Sequence, residues 1–307
     1  MVPLSGVAYA LERGEYRASI AGVGASLRAL TFGGRALVAD YAPDVMRPAM
    51  SGAVLVPWPN RIADARYVFA GETHELIVNE AATRTASHGL VAWQEFAAAA
   101  RTASSVVLHA VLAPQPGYPW RLSVEVAYAL EEDGLHQSLT VTNESGSPAP
   151  VGLGSHPYLV AGPPVDDAVA DWTLTLPADD VLLTDDRFLP THLVPVTVAA
   201  GGAYDFREGK RLHSAVVNHA FTRLRRSADG LAHARLVRDD GTGVELAWDG
   251  DWVQVYTADE PSGGLRRYAV AIEPMTCPPD AFRSGVGLRV VDPGGSTTMR
   301  WVLQARG

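Results

Sequence analysis

Cysteine and positive charge are both scarce in this 307-residue chain. The single cysteine, Cys277, excludes an intramolecular disulfide and a zinc site made of several thiolates, and it favours a reducing, cytoplasmic location. The 25 Lys and Arg residues are outnumbered by 34 Asp and Glu residues, which gives a net charge of −9 at pH 7. Because binding to phosphate backbones needs a basic surface, we expect no nucleic-acid partner.

Long apolar runs are missing as well. The N-terminus lacks a basic segment followed by an apolar stretch, and prolines interrupt the uncharged segment 145–165. We therefore expect neither a signal peptide nor a membrane span. The composition, 47% hydrophobic and 19% charged, still supports a large folded core. Since no linker of real length divides the chain, residues 1–307 are predicted to form a single domain.

Helical periodicity never persists over three turns, whereas the alternation typical of β-strands is common. The clearest strand pattern covers 122–130, and Asp133-Gly134 then predicts a hairpin turn into a second strand at 135–143. The segment 178–186 is the one candidate for a short helix or helical turn. The chain as a whole is therefore predicted to be all-β.

Asp-Gly pairs mark further turns. They recur at 229–230, 240–241 and 249–250, and the last two flank a strand pattern at 244–248. A second strand pattern follows at 252–256, and this spacing predicts a β-meander.

Several common catalytic motifs are absent. The chain has no Walker loop, no HExxH and no GxSxG, which weakens the case for nucleotide hydrolysis, zinc proteolysis and α/β-hydrolase chemistry. The glycine-rich segment 22–27 lacks the third glycine of a dinucleotide-binding loop, so a tight turn is predicted there.

Four polar groups stand in apolar or rigid surroundings. Asn60 and Arg61 follow a proline-stiffened apolar run, and the arginine offers five fixed donors to an oxygen-rich ligand. The alternative for Arg61 is a structural bond to a loop carbonyl. His88 lies beside a glycine that permits close approach, although most of the nine histidines must be structural.

The other two groups lie later in the chain. His156 is restricted by the proline that follows it, and Tyr158 adds an aromatic surface with a hydroxyl. Glu273 ends an apolar run immediately before a proline. Burial would raise its pKa above about 4.3 and make it a better proton acceptor, whereas a nearby arginine would lower that pKa. The alternative is a salt bridge that closes the strand.

Taken in order, these segments resemble the aldose 1-epimerase family, the galactose mutarotases. Each motif is weak alone, but their order and spacing span nearly the whole chain. The matching segments are Asn60-Arg61-Ile62, His88-Gly89, Thr142-Asn143, His156-Pro157-Tyr158, Asp205-Phe206-Arg207, Asn218-His219-Ala220-Phe221, Gln254-Val255-Tyr256-Thr257 and Glu273-Pro274.

The resemblance implies a β-supersandwich of large twisted antiparallel sheets that holds a sugar on its concave face. It implies an enzyme that interconverts the α and β anomers of an aldohexose without a metal or organic cofactor. Glu273 is then the general base that removes the proton of the anomeric hydroxyl, and His156 is the general acid that protonates the ring oxygen. The implied substrate-binding residues are Arg61, His88, Asn60, Asn218, Tyr158 and Tyr256.

Two departures leave the sugar open and indicate a divergent branch. Asn218 stands where many relatives carry an aspartate, so that position keeps an acceptor but loses a charge. The segment 87–90 reads Ser-His-Gly-Leu in place of His-Gly-Gly. His219, beside Asn218, is interpreted as a neighbour and not as a catalyst.

Three rival functions stay open. A carbohydrate-binding or sensing protein could keep the cleft without turnover. A glycoside-cleaving enzyme would need a second carboxylate, for which Asp205 and Asp280 are candidates. A mutarotase of a phosphorylated or otherwise C6-substituted sugar would need cations for the substituent, and Arg84 and Arg283 are the candidates. The expected partner in each case is a small sugar, and the chain is expected to be a monomer or homodimer.

Overall fold

Strands dominate the computed structural model, which describes residues 2–260 and 265–307. The described strands are, in chain order, β1 (Ala8–Arg13), β2 (Tyr16–Ala21), β3 (Ser26–Phe32), β4 (Arg35–Ala36), β5 (Val54–Leu55), β6 (Arg61–Ala63), β7 (Arg66–Phe69), β8 (Glu72–Glu75), β9 (Thr85–Ser87), β10 (Ala97–Arg101), β11 (Ser105–Leu112), β12 (Leu122–Leu130), β13 (Leu135–Asn143), β14 (Ala149–Val151), β15 (Gly154–Ser155), β16 (Tyr158–Leu159), β17 (Thr173–Thr175), β18 (Ala178–Thr184), β19 (Pro190–Pro195), β20 (Lys210–Arg211), β21 (Asn218–Leu224), β22 (Ala232–Val237), β23 (Gly243–Trp248), β24 (Trp252–Tyr256), β25 (Val270–Met275), β26 (Arg289–Val291) and β27 (Ser296–Arg306).

Helical structure is limited to short pieces. The described part contains one α-helix, α1 (Ala281–Ser284), and three 3₁₀ turns at Pro48–Met50, Ala168–Asp171 and Ala199–Gly202. In the described ranges, none of these helices has the length and apolar character that crossing a bilayer would demand.

Two large antiparallel sheets form the framework. One has nine strands in the order β10-β11-β12-β13-β27-β23-β22-β17-β20, and the other has eight, in the order β19-β18-β21-β24-β25-β15-β5, with β16 paired to β25. A single cluster of buried apolar side chains contains Val124 and Leu303 from the nine-stranded sheet together with Phe221 and Ile272 from the eight-stranded sheet. The core therefore lies between the sheets, and the all-β prediction is confirmed.

The two sheets bury their strands differently. In β12 every second residue from Leu122 to Leu130 is buried, as the alternation predicts, because one face of this strand packs on the core. All six residues of β25 are buried, since both of its faces are covered. A continuous apolar run is the sequence pattern of such a strand, and a carboxylate within it is consequently desolvated.

The predicted hairpin and the predicted tight turn are both present. Leu130 pairs with Leu135 at the ends of β12 and β13, and the Glu131 amide donates to the Gly134 carbonyl at 2.8 Å. Residues 22–25 form the turn before β3, where the Ala25 amide donates to the Gly22 carbonyl at 3.3 Å.

The helical prediction for 178–186 is wrong. Residues 178–184 form β18, in which Val181 pairs with Val194 of β19 and Leu182 pairs with Ala220 of β21. Hydrogen-bonded ladders on both sides outweigh the weak local preference for a helical turn. The acidic end of the segment makes a turn instead, since the Asp185 carboxylate accepts the Arg187 and Leu189 amides.

The β-meander prediction is half wrong. The turn at Asp240-Gly241 does join the paired strands β22 and β23. The turn at Asp249-Gly250 instead carries the chain from the nine-stranded sheet to the eight-stranded sheet, where β24 pairs with β21 and β25. The period-two pattern is the same for a hairpin and for a crossing between stacked sheets, so the sequence does not separate the two.

The hairpin glycine gives a test of this architecture. A Cβ built on Gly134, whose φ is +148°, would lie 2.2 Å from the Leu303 carbonyl oxygen of the neighbouring strand. Gly134→Ala should therefore lower the free energy of unfolding by roughly 1–3 kcal/mol, measured by urea denaturation. Gly146→Ala is the matched control, because a Cβ there meets nothing within 4 Å. Equal stabilities of the two variants would contradict the described packing.

Candidate active site

The strand β25 places Glu273 between two polar partners. On one side Gln254 of β24 is its direct cross-strand neighbour. On the other side Gly154 pairs with Met275 and Tyr158 pairs with Ala271. Extending that register through the gap between β15 and β16 puts His156 opposite Glu273. The His156 Nε2 atom lies 3.3 Å from the Glu273 Oε1 atom, and both side chains are buried.

The gap in the strand frees His156 from the sheet. Pro157 has no amide hydrogen, so the ladder to β25 is interrupted there. The backbone of His156 bonds instead to the loop 52–53: its amide donates to the Ala53 carbonyl at 3.0 Å, and its carbonyl accepts the Gly52 amide at 2.8 Å. The imidazole stacks on the Tyr158 ring, with centroids 5.1 Å apart, and meets the His88 ring edge-on at 5.3 Å.

A separate two-stranded ladder carries the other predicted residues. Arg61 of β6 pairs with Ser87 of β9, so Asn60 and His88 lie side by side just beyond that pair. Both take left-handed backbone conformations, with φ of +54° and +64°, and the His88 amide donates to the Asn60 carbonyl at 2.8 Å. Gly89 is required next, because a Cβ there would lie 2.2 Å from the Val56 carbonyl oxygen.

These elements surround one cavity of about 540 Å³. All eight residues predicted to form the site line it: Asn60, Arg61, His88, His156, Tyr158, Asn218, Tyr256 and Glu273. A cavity of this size, lined by a few converging polar groups on apolar walls, is suited to a small polar ligand. The catalytic and binding roles of these eight residues stay predictions.

Among the described residues, the Arg61 guanidinium binds a carboxylate and no loop carbonyl, the structural alternative for this side chain. Its Nε and Nη2 atoms donate to the two carboxylate oxygens of Glu80, both at 2.7 Å. The guanidinium carbon also lies 5.0 Å from the centre of the Phe188 ring. Glu80 and Phe188 both line the cavity, so the arginine is held at the cavity wall by a carboxylate and an aromatic face.

Asn218 is fixed by a neighbour on the sheet. The Gln254 Nε2 atom donates to the Asn218 Oδ1 atom at 2.7 Å, which leaves the Asn218 amide hydrogens for other acceptors. The Gln254 Oε1 atom is buried without a partner in the part of the chain that the structure describes. The row Asn218, Gln254, Glu273 and His156 therefore forms a continuous polar strip across an otherwise apolar sheet face.

The residues named for the rival functions lie elsewhere. Asp205 is committed to Arg207, and Asp280 accepts the Ala63 amide at 2.9 Å, and neither lines the cavity. Arg84 and Arg283 are likewise outside the cavity lining. His219 contacts the Tyr204 hydroxyl and does not line the cavity either, in agreement with its interpretation as a neighbour.

Comparison with known proteins decides the family. The family model described as Aldose 1-epimerase matches residues 7–304. The chain belongs to this family. It is 36% identical over 292 residues to the uncharacterized protein YihR of Escherichia coli K12, an alignment that covers 94% of this chain and 90% of that protein. It is 28% identical over 235 residues to galactose mutarotase of Sus scrofa, covering 73% of this chain and 66% of that protein.

Solved structures show the same fold. A GalM/aldose epimerase homologue from C. elegans aligns with a TM-score of 0.85 at 20% identity, over 97% of this chain and 99% of that chain. A putative aldose 1-epimerase from Escherichia coli K12 aligns with a TM-score of 0.80 at 22% identity, over 97% and 98%. The predicted β-supersandwich, the fold of the aldose 1-epimerase family, is thereby confirmed.

The electrostatics of this epimerase-family site place one proton on the pair. Burial raises the pKa of Glu273 to about 8, and the charge of Arg61 offsets only part of that rise. Burial and the neighbouring His88 lower the pKa of His156 well below its ordinary value. Burial, together with Arg61 and Arg47, lowers the pKa of His88 to about 3. At neutral pH the two imidazoles are therefore neutral, and Glu273 carries the proton.

In the described ranges, no group of three or more His, Cys, Asp or Glu side chains is arranged to hold a metal ion. His88 and His156 are the two imidazoles at the cavity, and Glu273 is already in contact with one of them.

Sequence reasoning missed three residues that shape this site. Gln254 stands inside a segment that carries the family resemblance, so the resemblance was a usable signal for it. Glu80 and Phe188 lie in loops with no distinctive pattern, 19 residues from Arg61 in the case of Glu80. Their contacts with Arg61 arise only when the loops fold against the ladder of β6 and β9.

The buried carboxyl of Glu273 should make stability fall as pH rises. Because its pKa is higher in the folded chain than in the unfolded chain, the folded chain binds more protons between about pH 4.5 and 8, and stability is lost through that window. Glu273→Gln removes this loss. The difference in unfolding free energy between Glu273→Gln and the parent should therefore shift in favour of the variant by on the order of a few kcal/mol between pH 6 and 9.

Urea midpoints at pH 6, 7.5 and 9 measure this difference. Glu144→Gln is the matched control, because it removes an exposed carboxylate that accepts the Arg121 Nε at 2.9 Å. A constant difference between Glu273→Gln and the parent across this range would mean that Glu273 is not held protonated by burial.

Proposed function

We propose that this protein is an aldose 1-epimerase that interconverts the α and β anomers of an aldohexose by opening and reclosing the pyranose ring. The observation that carries the proposal is the contact between the imidazole of His156 and the carboxyl of Glu273 in a sugar-sized cavity. Ring opening of a hemiacetal must remove a proton from one oxygen of the anomeric carbon and deliver a proton to the other. A base and an acid at one cavity wall meet that requirement.

Opening proceeds with the proton on His156. In the free site the proton resides on Glu273, and the 3.3 Å gap from Oε1 to Nε2 lets it pass to the imidazole when a sugar hydroxyl hydrogen-bonds to the carboxylate. Glu273 then takes the proton of the anomeric hydroxyl while His156 protonates the ring oxygen. The bond from the anomeric carbon to the ring oxygen breaks, and an aldehyde and a free hydroxyl result.

Reclosure uses the same proton in reverse. After the aldehyde turns about the bond from C1 to C2, the hydroxyl attacks its other face. His156 accepts the hydroxyl proton, and the protonated Glu273 gives its proton to the former aldehyde oxygen. The pair ends in the state that starts the next opening, so no proton needs to be exchanged with water during the cycle.

The remaining cavity residues hold the sugar. Arg61 keeps three of its five donors after binding Glu80, and Asn60 and His88 lie beside it on the same ladder. Asn218 supplies amide hydrogens from the opposite side. Tyr158 and Tyr256 add aromatic surface, which suits the apolar face of a pyranose. Fixing the sugar in this way keeps both of its reacting oxygens within reach of the pair.

The rival functions have less support. A glycoside-cleaving enzyme needs a second carboxylate on the opposite side of the bond, and Asp205 and Asp280 lie outside the cavity. Of the other carboxylates that line it, Glu80 is bound to Arg61, Asp259 is bound to Arg267 and Glu260 is exposed. A binding protein would have no use for a buried acid in contact with an imidazole, which destabilises the fold. A mutarotase of a C6-substituted sugar is distinguished from one of an unmodified aldohexose by comparing rates on sugars with different C6 groups.

Substitution of the pair tests the proposal. Glu273→Gln and His156→Asn should each lower the rate of anomer exchange by about 10²- to 10⁴-fold, because each removes one proton-transfer group, while both variants stay folded. Exchange NMR on pure anomers of glucose, galactose and sugars with altered C6 groups measures the rate and the substrate preference together. Full activity in either variant would rule out the assigned roles, and sugar binding without exchange in the parent would favour the binding protein.

The pH dependence follows from the single shared proton. The active state has one proton on the pair, so kcat/KM should fall as pH rises through about 8, where that proton is lost. The acidic decline should begin well below pH 6.5, because a second proton must go to His156. Rates corrected for the enzyme-free reaction give the profile. Activity that is already declining between pH 7.5 and 6.5 would contradict this account.

A further inference from the structure

A carboxylate that no expected role explains stands in the sugar cavity. Glu80 lines the cavity, and both of its oxygens accept hydrogen bonds from Arg61 at 2.7 Å. This two-point geometry fixes the plane of the guanidinium as well as its position. A side chain that only neutralised Arg61 could do so with a single contact, so the second contact is evidence for orientation.

Glu80 is itself held in place by the strand that follows it. The amide of Glu80 donates to the Thr85 carbonyl, and the Thr85 amide donates to the Glu80 carbonyl, both at 3.2 Å. The Thr85 hydroxyl also donates to the Glu80 Oε2 atom at 3.0 Å. Arg187, which contacts the same loop, is committed to the Thr83 carbonyl and to Asp64. The carboxylate therefore has a fixed direction, set by β9, and faces Arg61 as its cationic partner.

The contacts leave a defined set of donors on Arg61. Glu80 takes the Nε hydrogen and one Nη2 hydrogen, and the Phe188 ring covers one face of the guanidinium at 5.0 Å. Three of the five donors, two on Nη1 and one on Nη2, are left for a ligand. Without Glu80 the arginine could rotate about its long side chain, and its charge could turn toward Glu273, whose carboxyl lines the same cavity.

We propose that Glu80 is a positioning residue of the epimerase reaction: it orients Arg61 for the sugar and neutralises its charge, so that Arg61 does not draw the proton away from Glu273. The inference rests on the proposed function and assigns Glu80 no direct contact with the reacting atoms. Glu80 acts through Arg61 alone.

The charges around Glu273 make the neutralisation of Arg61 by Glu80 measurable. Among the described residues, the ionisable groups that interact with its carboxyl include His156 from the segment between β15 and β16, Tyr158 from β16 and Arg61 from β6. Asp259, which is paired with Arg267, and Glu260 also line the cavity. The charge of Arg61 lowers the pKa of Glu273, opposing the effect of burial. Hydrogen bonds from Arg61 hold the pKa of Glu80 below its ordinary value although burial would raise it, so Glu80 is anionic at neutral pH. Loss of that negative charge would leave the Arg61 charge unopposed, and the pKa of Glu273 would fall.

Glu80→Gln tests the proposal with two readouts. The first is the split between KM and kcat for the sugar that the parent converts fastest, for which we expect KM to rise about 10-fold or more, since charge-assisted bonds to Arg61 are lost. The second is the titration of the Glu273 carboxyl, followed by ¹³C NMR on glutamate-labelled protein and assigned by its absence in Glu273→Gln. We expect this titration, and the alkaline decline of kcat/KM, to move to lower pH.

Two further single variants and one double variant make the result decisive. Glu144→Gln removes the carboxylate of an exposed pair with Arg121 and should leave KM and the Glu273 titration unchanged. Glu80→Asp keeps the charge but withdraws it by one methylene, so it should keep the parent titration while KM rises. If Glu80→Gln does not fold, Glu80→Asp still tests the orienting role, and an unchanged KM in Glu80→Asp would overturn the proposal. In an Arg61→Ala background, Glu80→Gln should have little additional effect on kcat/KM, because the two residues act together.

The outcomes separate cleanly. A Glu80→Gln protein that matches Glu144→Gln in KM and in the Glu273 titration overturns the proposal. In Glu80→Gln, a rise in KM with an unmoved Glu273 titration also rejects the proposal, because it would reduce Glu80 to a local structural support. The NMR titration needs no turnover. If the parent exchanged no sugar in the panel, the proposed function would fail while the coupling from Glu80 through Arg61 to Glu273 could still be measured.

Discussion

The contact between His156 and Glu273 is the interaction on which the rest of the site depends. A carboxyl on a strand that is buried on both faces cannot ionise cheaply, and an imidazole buried beside it cannot easily take a second proton. Together they keep one proton between them near neutral pH. Such a pair can give a proton at one oxygen and take one at another, and it can do both in either direction.

This contact is costly, and the architecture compensates for it at a distance. Neither Glu273 Oε2 nor His156 Nδ1 has a hydrogen-bond partner among the described residues, so both atoms lower the stability of the free protein. The compensation comes from the large core between the two sheets, in which strands such as β12 alternate cleanly and carry no chemistry. Burial of apolar side chains in this core stabilises the fold and offsets the cost of the buried polar atoms that the eight-stranded sheet places in the site.

The sequence could predict the chemistry of single residues better than their arrangement. The alternation at 122–130 and the apolar run that ends in Glu273 identified a half-buried and a fully buried strand, because burial is written directly into such patterns. Local patterns do not show to which sheet a strand belongs. The sequence therefore predicts β23 and β24 as neighbours in one meander, although they lie in different sheets. Likewise the meeting of His156 with Glu273 follows from the register of β15 and β16 on β25, which the local patterns do not contain, and only the family resemblance anticipated it. The local sequence does not identify Glu80 for the same reason, since its contact with Arg61 forms only when its loop folds onto the ladder of β6 and β9.

The cavity divides its tasks between two structural units, and their charges must not interfere. In the proposed reaction, Glu273 on the eight-stranded sheet must share one proton with His156, while Arg61 on the ladder of β6 and β9 must stay a permanent cation. An unneutralised guanidinium in a cavity of about 540 Å³ would favour the carboxylate form of any acid that shares the cavity. In the proposed reaction, such an arginine would bind the sugar and at the same time favour loss of the proton that His156 and Glu273 share. Pairing the arginine with Glu80 on its own side of the cavity satisfies the charge locally and leaves its free donors for hydroxyl groups. A site that combines a cationic sugar-binding residue with a proton shared by His156 and Glu273 therefore needs a counter-charge for the cation, and Glu80 lies on Arg61 where it can supply that charge.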